Sequence, residues 1–456
     1  MRLRTDTLPQ RRTHLCLWLV ACTAACSVRE GMLGSLPGDD GVVDGGVPAK
    51  TCVASPRVTL QGHDTCTGRL AATRFSNALC TCGNLQLADY LKTRGFDSNQ
   101  GIYLEGEPTD TSAAVGVNGN YIPKVGSTDI GGSFSIAGGG ALQLVGMVQA
   151  LGDFYSAGTI SVTGSATVSR NAWLGGNFSG IGPLLVGGDL HHSGTVSALP
   201  VLVTGTNQQQ TVTVAPPCPC ATSDLLDIPA LVDAAKQSND NSSLGIAQDA
   251  LVSVAGAGRW TLSCGRIYLS RISGIGNLAI HVTGNVALFI DGSIDLKGGL
   301  AFDVDPGAEI DVFVKQDLLV QGALSLASEN RPAAGRIWVG GTQAITLASP
   351  LIGNLYAPRA PVGALVGLEV WGSIFAGSFS GGAFATFFFD RAVLATGANC
   401  KAPLPPAGLC TQCQWCSGGT ACVAGSCGSC KSDGECCSLS VCSNGSCMPL
   451  AEPGGS

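Results

Sequence analysis

The chain has 456 residues, 64 of them glycine and 21 cysteine, with only 12% charged residues and a net charge of −7. Glycine at roughly twice ordinary usage beside 45% apolar residues excludes a disordered polymer and points to strands joined by tight turns. The charge is diffuse and no basic stripe or RNA-type aromatic motif occurs, so nucleic acid is not an expected partner.

Residues 1–26 open with a basic stretch, MRLRTDTLPQRR, and continue as THLCLWLVACTAAC, an apolar run ending in small residues and cysteine. The run is too short to span a bilayer and reads as an export signal. A cysteine at the cut resembles a bacterial lipoprotein signal, which makes Cys22, after Leu19-Val20-Ala21, or Cys26, after Thr23-Ala24-Ala25, the expected lipid attachment point. The first fits the motif better. The second leaves an even 18 cysteines for pairing, where the first leaves 19. The choice stays open, with a plain secretory signal as the other reading. Residues 27–50, rich in Gly, Pro and Asp and without periodicity, read as a tether.

Residues 51–99 carry Cys52, Cys66, Cys80 and Cys82. They are expected to form a small disulfide-bonded cap, with all three pairings of the four cysteines open. From 100 to 396 the texture is that of a right-handed β-solenoid. A glycine, then Ser, Asp or Asn, then Phe, Leu or Ile recurs from Gly132-Ser133-Phe134 through Gly152-Asp153-Phe154 to Gly372-Ser373-Ile374. The expected role of these glycines is a positive φ at the coil corners.

A helical insertion is expected near 222–240. Ile228, Leu231, Val232 and Ala235 fall at helical spacing, Asp227 suits the N-cap and Pro229 the first turn. Cys218, Cys220 and Cys264 flank it and are disulfide candidates.

After the insertion the alternation is long. Leu288, Ile290, Ile294, Leu296, Leu300 and Phe302 hold even positions, while Asp291, Asp295, Lys297, Asp303, Asp305, Glu309 and Asp311 hold odd ones. Period two marks strands with one buried face, and a run this long must turn repeatedly without losing parity. LFIDGSIDL at 288–296 is echoed by VFVKQDLLV at 312–320, a coil-length repeat. The odd charges are therefore expected on a solvated face and not in a catalytic cluster, although Asp303, Asp305, Glu309 and Asp311 leave a surface calcium site open. Apolar–aromatic–apolar triplets place Tyr268, Phe289, Phe313, Trp338, Tyr356 and Phe375 about one coil apart, as an outward column. Such a column is either covered by the 227–238 helix or the cap, or exposed as a ligand strip for sugars or peptides.

Residues 216–396, with LYAPRAPV at 355–362, VWGSIFAG and the closing FFFDRAV, resemble an uncharacterised bacterial family of Gly-rich β-helical domains. The resemblance implies a fold and an envelope location and no activity. The coils are also similar in texture to bactofilins, as an analogy of architecture. After Cys400 and a Pro-rich linker at 397–409, residues 410–447 hold Cys410, Cys413, Cys416, Cys422, Cys427, Cys430, Cys436, Cys437, Cys442 and Cys447, and 448–456 form a tail. A segment this dense depends on disulfides rather than a core. From Cys430 on, its spacing resembles the Cys-rich module named for the Dickkopf proteins, which implies a small binding or spacer knot.

Catalytic chemistry is thin. G-x-S-x-G, H-E-x-x-H, P-loop and C-x-x-C-H patterns are absent. His191-His192 reads as a loop pair rather than a metal site. No catalytic residue, metal or cofactor is expected. The expected protein is a non-enzymatic, lipid-anchored cell-envelope protein, exported to the outer membrane or cell surface, with a solenoid shaft presenting a Cys-rich tip. Its expected partners are the membrane, through the lipid, and a glycan or an envelope protein. A carbohydrate-binding or polysaccharide-cleaving β-helix is the alternative.

Overall fold

The computed structural model describes residues 56–60, 63–105 and 110–397, with short pieces at 421–423, 426–431, 440–443 and 446–449. Cys22, Cys26, the tether, Cys52, Cys400, Cys410, Cys413, Cys416, Cys436 and Cys437 lie outside the described residues. The Cys-rich region contributes two antiparallel hairpins, with Cys422 opposite Cys427 and Cys442 opposite Cys447, and the bridge Cys430–Cys442.

The main body is a three-sided β-solenoid. Each coil lays a short strand on each of three faces, and each strand pairs parallel and in register with its counterpart one coil away. On the first face twelve successive pairings join thirteen strands, in a ladder that runs Ile267, Leu288, Val312, Ile337, Leu355, Ile374, Leu79, Val115, Phe134, Phe154, Ala172, Leu190, Asn207. Parity works as the alternation predicts: Leu288, Ile290, Ile294, Leu296 and Leu300 are all fully buried inside the coils.

Along the axis, the coil order is not the chain order. The strand Leu79–Thr81 lies between Val115–Val117 and the Ile374–Ala376 stretch of the strand Leu368–Gly381. Leu85–Leu87 and Leu91–Phe96 are likewise sandwiched between the coil that follows them and the last coil of the chain. Residues 79–96 are therefore the middle coil, seventh of thirteen on the first face, and not an end cap. From there the chain winds outward to Asn207–Gln209, crosses back along the molecule through 210–257, restarts at the opposite end with Gly258–Leu262, and winds inward to finish beside its own beginning.

The disulfides follow this crossing. Cys80 bonds Cys218 and Cys82 bonds Cys220, each across 138 residues, so these two N-terminal cysteines pair with the crossing segment rather than with each other. Cys66 and Cys264 are also disulfide-bonded. Entry and exit coincide: Thr396 Oγ1, just past the last coil, donates to the carbonyl of Gly68 in helix α1 (Thr67–Arg74) at 3.0 Å. Residues 68 and 396, which flank the coils on the two sides in sequence, thus lie together in space.

The corner motif has a different physics from the one expected. Of the motif glycines Gly132, Gly152 and Gly372, only Gly372 has a positive φ, at 124°. The others are needed because coils approach closely: a Cβ on Gly152 would sit 2.5 Å from the backbone N of Ser133 one coil away. Polar side chains at these corners cap the next coil. Ser133 accepts from the Asp153 N–H, Asp153 from Asn171, Asn171 from Asp189, and Asp189 from Thr206, at 2.7 to 3.1 Å.

Candidate functional site

Helix α2 (Ile228–Gln237) forms as its sequence predicts. The Asp227 side chain accepts from the Ala230 N–H at 3.1 Å, and Ile228, Leu231, Val232 and Ala235 are its buried face. That face lies over the outward side of the strands Gly265–Leu269, Asn285–Ile290 and Glu309–Val314. The helix therefore covers the aromatic column.

Tyr268, Phe289, Phe313, Trp338, Tyr356 and Phe375 stand in register, one per coil, and each is at most 1% exposed. Phe289 stacks on Phe313 at 5.1 Å and Phe313 on Trp338 at 5.7 Å. Phe75, just after α1, packs on Trp338 at 5.0 Å, and the Tyr356 hydroxyl accepts from the Leu226 N–H at 3.1 Å. These six rings are interior, because α2, the rest of the crossing segment and Phe75 close over them. They do not form an exposed strip.

The charges around the column correct two expectations. Asp291 is not simply solvated. Its carboxylate takes Lys315 Nζ at 2.7 Å, Lys236 Nζ of α2 at 3.3 Å and the Tyr268 hydroxyl at 2.7 Å, while Lys315 also reaches Asp233 of α2. Lys315, then Tyr268, hold the Asp291 carboxyl down at about 2, and burial and Asp291 push the Tyr268 phenol well above its usual value. This cluster docks the helix. Asp295 and Lys297 stay outside it, half exposed and 3.5 Å apart.

Asp311 has outward parity yet is 1% exposed, because the Arg336 guanidinium lies beside it and both are covered. Arg336 Nε and Nη2 donate to the two Asp311 oxygens at 2.7 and 2.8 Å, Nη2 reaches Glu309 at 2.6 Å, and Nη1 donates to the Ala333 carbonyl. Trp338 Nε1 also donates to Asp311, at 2.9 Å. Burial alone works against the Arg336 charge, but Asp311 and Glu309 outweigh it and raise its pKa. The acidic run therefore splits. Glu309 and Asp311 serve Arg336, while Asp303 and Asp305 lie 3.2 and 3.7 Å from His281. They do not gather around a calcium position, and among the described residues no group of three His, Cys, Asp or Glu is placed to hold a metal.

The same outward column continues past the six rings through Cys80, Gly116 and Ser135 to Tyr155, Trp173, His191 and Gln208. Tyr155 and Trp173 stack at 4.5 Å with planes 4° apart, and Trp173 and His191 follow at 5.8 Å. These rings are only half-buried. His191 belongs to the strand Leu190–His192 rather than to a loop, and its Nδ1 pairs with Gln210 Nε2 at 2.9 Å. The ladder was missed in the sequence, although Tyr155 and Trp173 each directly follow an inward residue and stand one coil apart.

Residues 205–396 match the model of a family described as a domain of unknown function, DUF7305. The match takes in the crossing segment, α2 and the coils beneath it, and it contains the span singled out by resemblance. No curated protein and no solved structure matches the chain. In structural terms the DUF7305 match is the covered half of the solenoid together with its cover.

Proposed function

We propose that the protein is a non-enzymatic, lipid-anchored component of the cell envelope whose solenoid has a structural or surface-interaction role. The observation that carries this reading is the closed column. The site with most aromatic and ionic groups is used up in holding α2 to the coils, with its carboxylates and cations paired to one another. The export signal with Cys22 or Cys26 supports the envelope location, as do the bridges Cys80–Cys218 and Cys82–Cys220, which belong to an oxidising compartment. The Dickkopf-like spacing of the C-terminal cysteines fits a small binding knot on the same protein.

Carbohydrate binding is the second reading, and the open ladder of Tyr155, Trp173 and His191 favours it. Sugars stack on ring faces, however, and these faces are turned toward one another, which leaves mainly edges to solvent.

Two measurements separate the readings. Palmitate should label the full chain and fail to label the Cys22→Ser, Cys26→Ser variant; an unlabelled wild type removes the anchor. In a glycan-binding screen with parallel turnover assays, binding lost on Trp173→Ala would replace the structural reading with the carbohydrate one.

A further inference from the structure

The two ends of the solenoid are finished differently. At the end nearest residue 258, chain segments occupy, on two of the three faces, the backbone groups that a further coil would have used, while on the third Gly258–Leu262 is the outermost strand. Asp240 exchanges hydrogen bonds with Arg266, donating its N–H to the Arg266 carbonyl and accepting the Arg266 N–H, both at 2.7 Å. The Asn241 side chain does the same for Tyr268 at 2.7 and 2.8 Å. On another face, Gln248, Leu251 and Val254 take the backbone of Ser270 and Ser273.

At the other end the strands Val196–Ser197, Val201–Val203 and Asn207–Gln209 each have a partner on one side only, among the described residues. Leu184 donates to the Pro200 carbonyl and Thr204 to that of Val186, so in this parallel ladder Val201 and Val203 direct their own N–H and C=O groups away from the stack. The inward side chains of Val196, Val201 and Val203 are only partly buried, and Leu202 is 56% exposed. Sheet edges are ordinarily blunted by charge or cover, yet no charged residue occurs from Ser193 to Ser223.

We infer that this end is a self-association surface that receives the same end of a second copy of the chain. Head-to-tail stacking is blocked on two of the three faces, where residues 240–254 already sit at the opposite end. That leaves the isologous arrangement, in which a two-fold axis perpendicular to the solenoid sets the meeting strands antiparallel. Antiparallel edges complement one another in N–H and C=O groups, and the exposed amides of Asn207, Gln208 and Gln209 are both donors and acceptors, hence self-complementary. The product is a closed dimer that cannot grow into a filament.

Sedimentation velocity of the full chain over a concentration series tests this. The expected result is a monomer–dimer equilibrium. In the Leu202→Lys, Gln208→Lys variant, whose changed side chains are both exposed, dimerisation should weaken at least about tenfold, recover with added salt and leave the melting temperature unchanged. Val203→Pro deletes an N–H that the fold does not use and should have the same effect without salt recovery. A chain that stays monomeric at every concentration, a dimer indifferent to both variants, or open-ended polymers would each overturn the inference.

Discussion

The half of the solenoid from Gly258 to Asp390 and the half from Val115 to Gln209 share one coil geometry and one outward column, and they differ in cover. In the first, the column is roofed by α2, its rings are interior and a buried ion pair stands beside it. In the second, the column is half-buried and the strands are mostly three residues long. The comparison shows that a solenoid face is not inherently inside or outside. A β-coil supplies an ordered row of positions, and a separate chain segment decides whether the row becomes core or surface. The covered half therefore tolerates Asp311 and Arg336 in its interior, where the bare half offers polar caps at its corners and stacked rings on its surface.

That contrast can be broken by substitution. Arg336→Met should cost about 3–5 kcal/mol in urea unfolding, because it strands Asp311 in the interior, and adding Asp311→Leu should restore most of the loss. Trp338→Ala should cost a similar amount, about 3–5 kcal/mol, while Trp173→Ala in the bare half should cost roughly 1 kcal/mol or less. Equal losses at the two tryptophans would erase the distinction between the halves. Asn241→Ala, which uncaps the backbone of Tyr268 at the sealed end, should cost about 1–3 kcal/mol. The smallest effect concerns pH. Asp291 is held at about 2, below its unfolded value of about 3.9, so its pairing stabilises fully above about pH 4 and fades as pH falls toward 2. Asp291→Asn should flatten that part of the acid-stability curve, and an unchanged curve would remove Asp291 from the docking of α2.

Much of this was legible in local sequence. Alternation from Leu288 to Phe302 identified the inward residues because side-chain direction along a strand is fixed by parity, and α2 was readable from Asp227, Pro229 and its apolar stripe. Coil order was not legible. Leu79, Val115 and Ile374 have the same strand texture, and nothing local says that the first joins the other two. The cysteines of 79–82 therefore looked like a self-contained cap when their partners lay across the crossing segment. Asp311 misled for a related reason, since parity reports which way a side chain points and not what another segment lays over it. Asp303 and Asp311 are alike in sequence. Only the second has an arginine and a tryptophan one coil on.

The middle coil has a consequence for synthesis. Leu79–Thr81 is made early, but the stretch that completes one of its two sides, Ile374–Ala376, comes almost at the close of the solenoid. A chain emerging N-terminus first can stack its coils up to Gln209 and still carry a raw edge along 79–96, with unsatisfied backbone and inward apolar side chains. The remaining coils begin at the distant end and reach that edge last, when Ile374, Phe379 and Ala385 settle beside Leu79, Leu85 and Leu91. A nascent or truncated chain is thus vulnerable at its centre rather than at its tips. Joining residue 397 to 68 and opening the chain after 209 would let the coils form in their spatial order, with no raw edge left waiting in the middle.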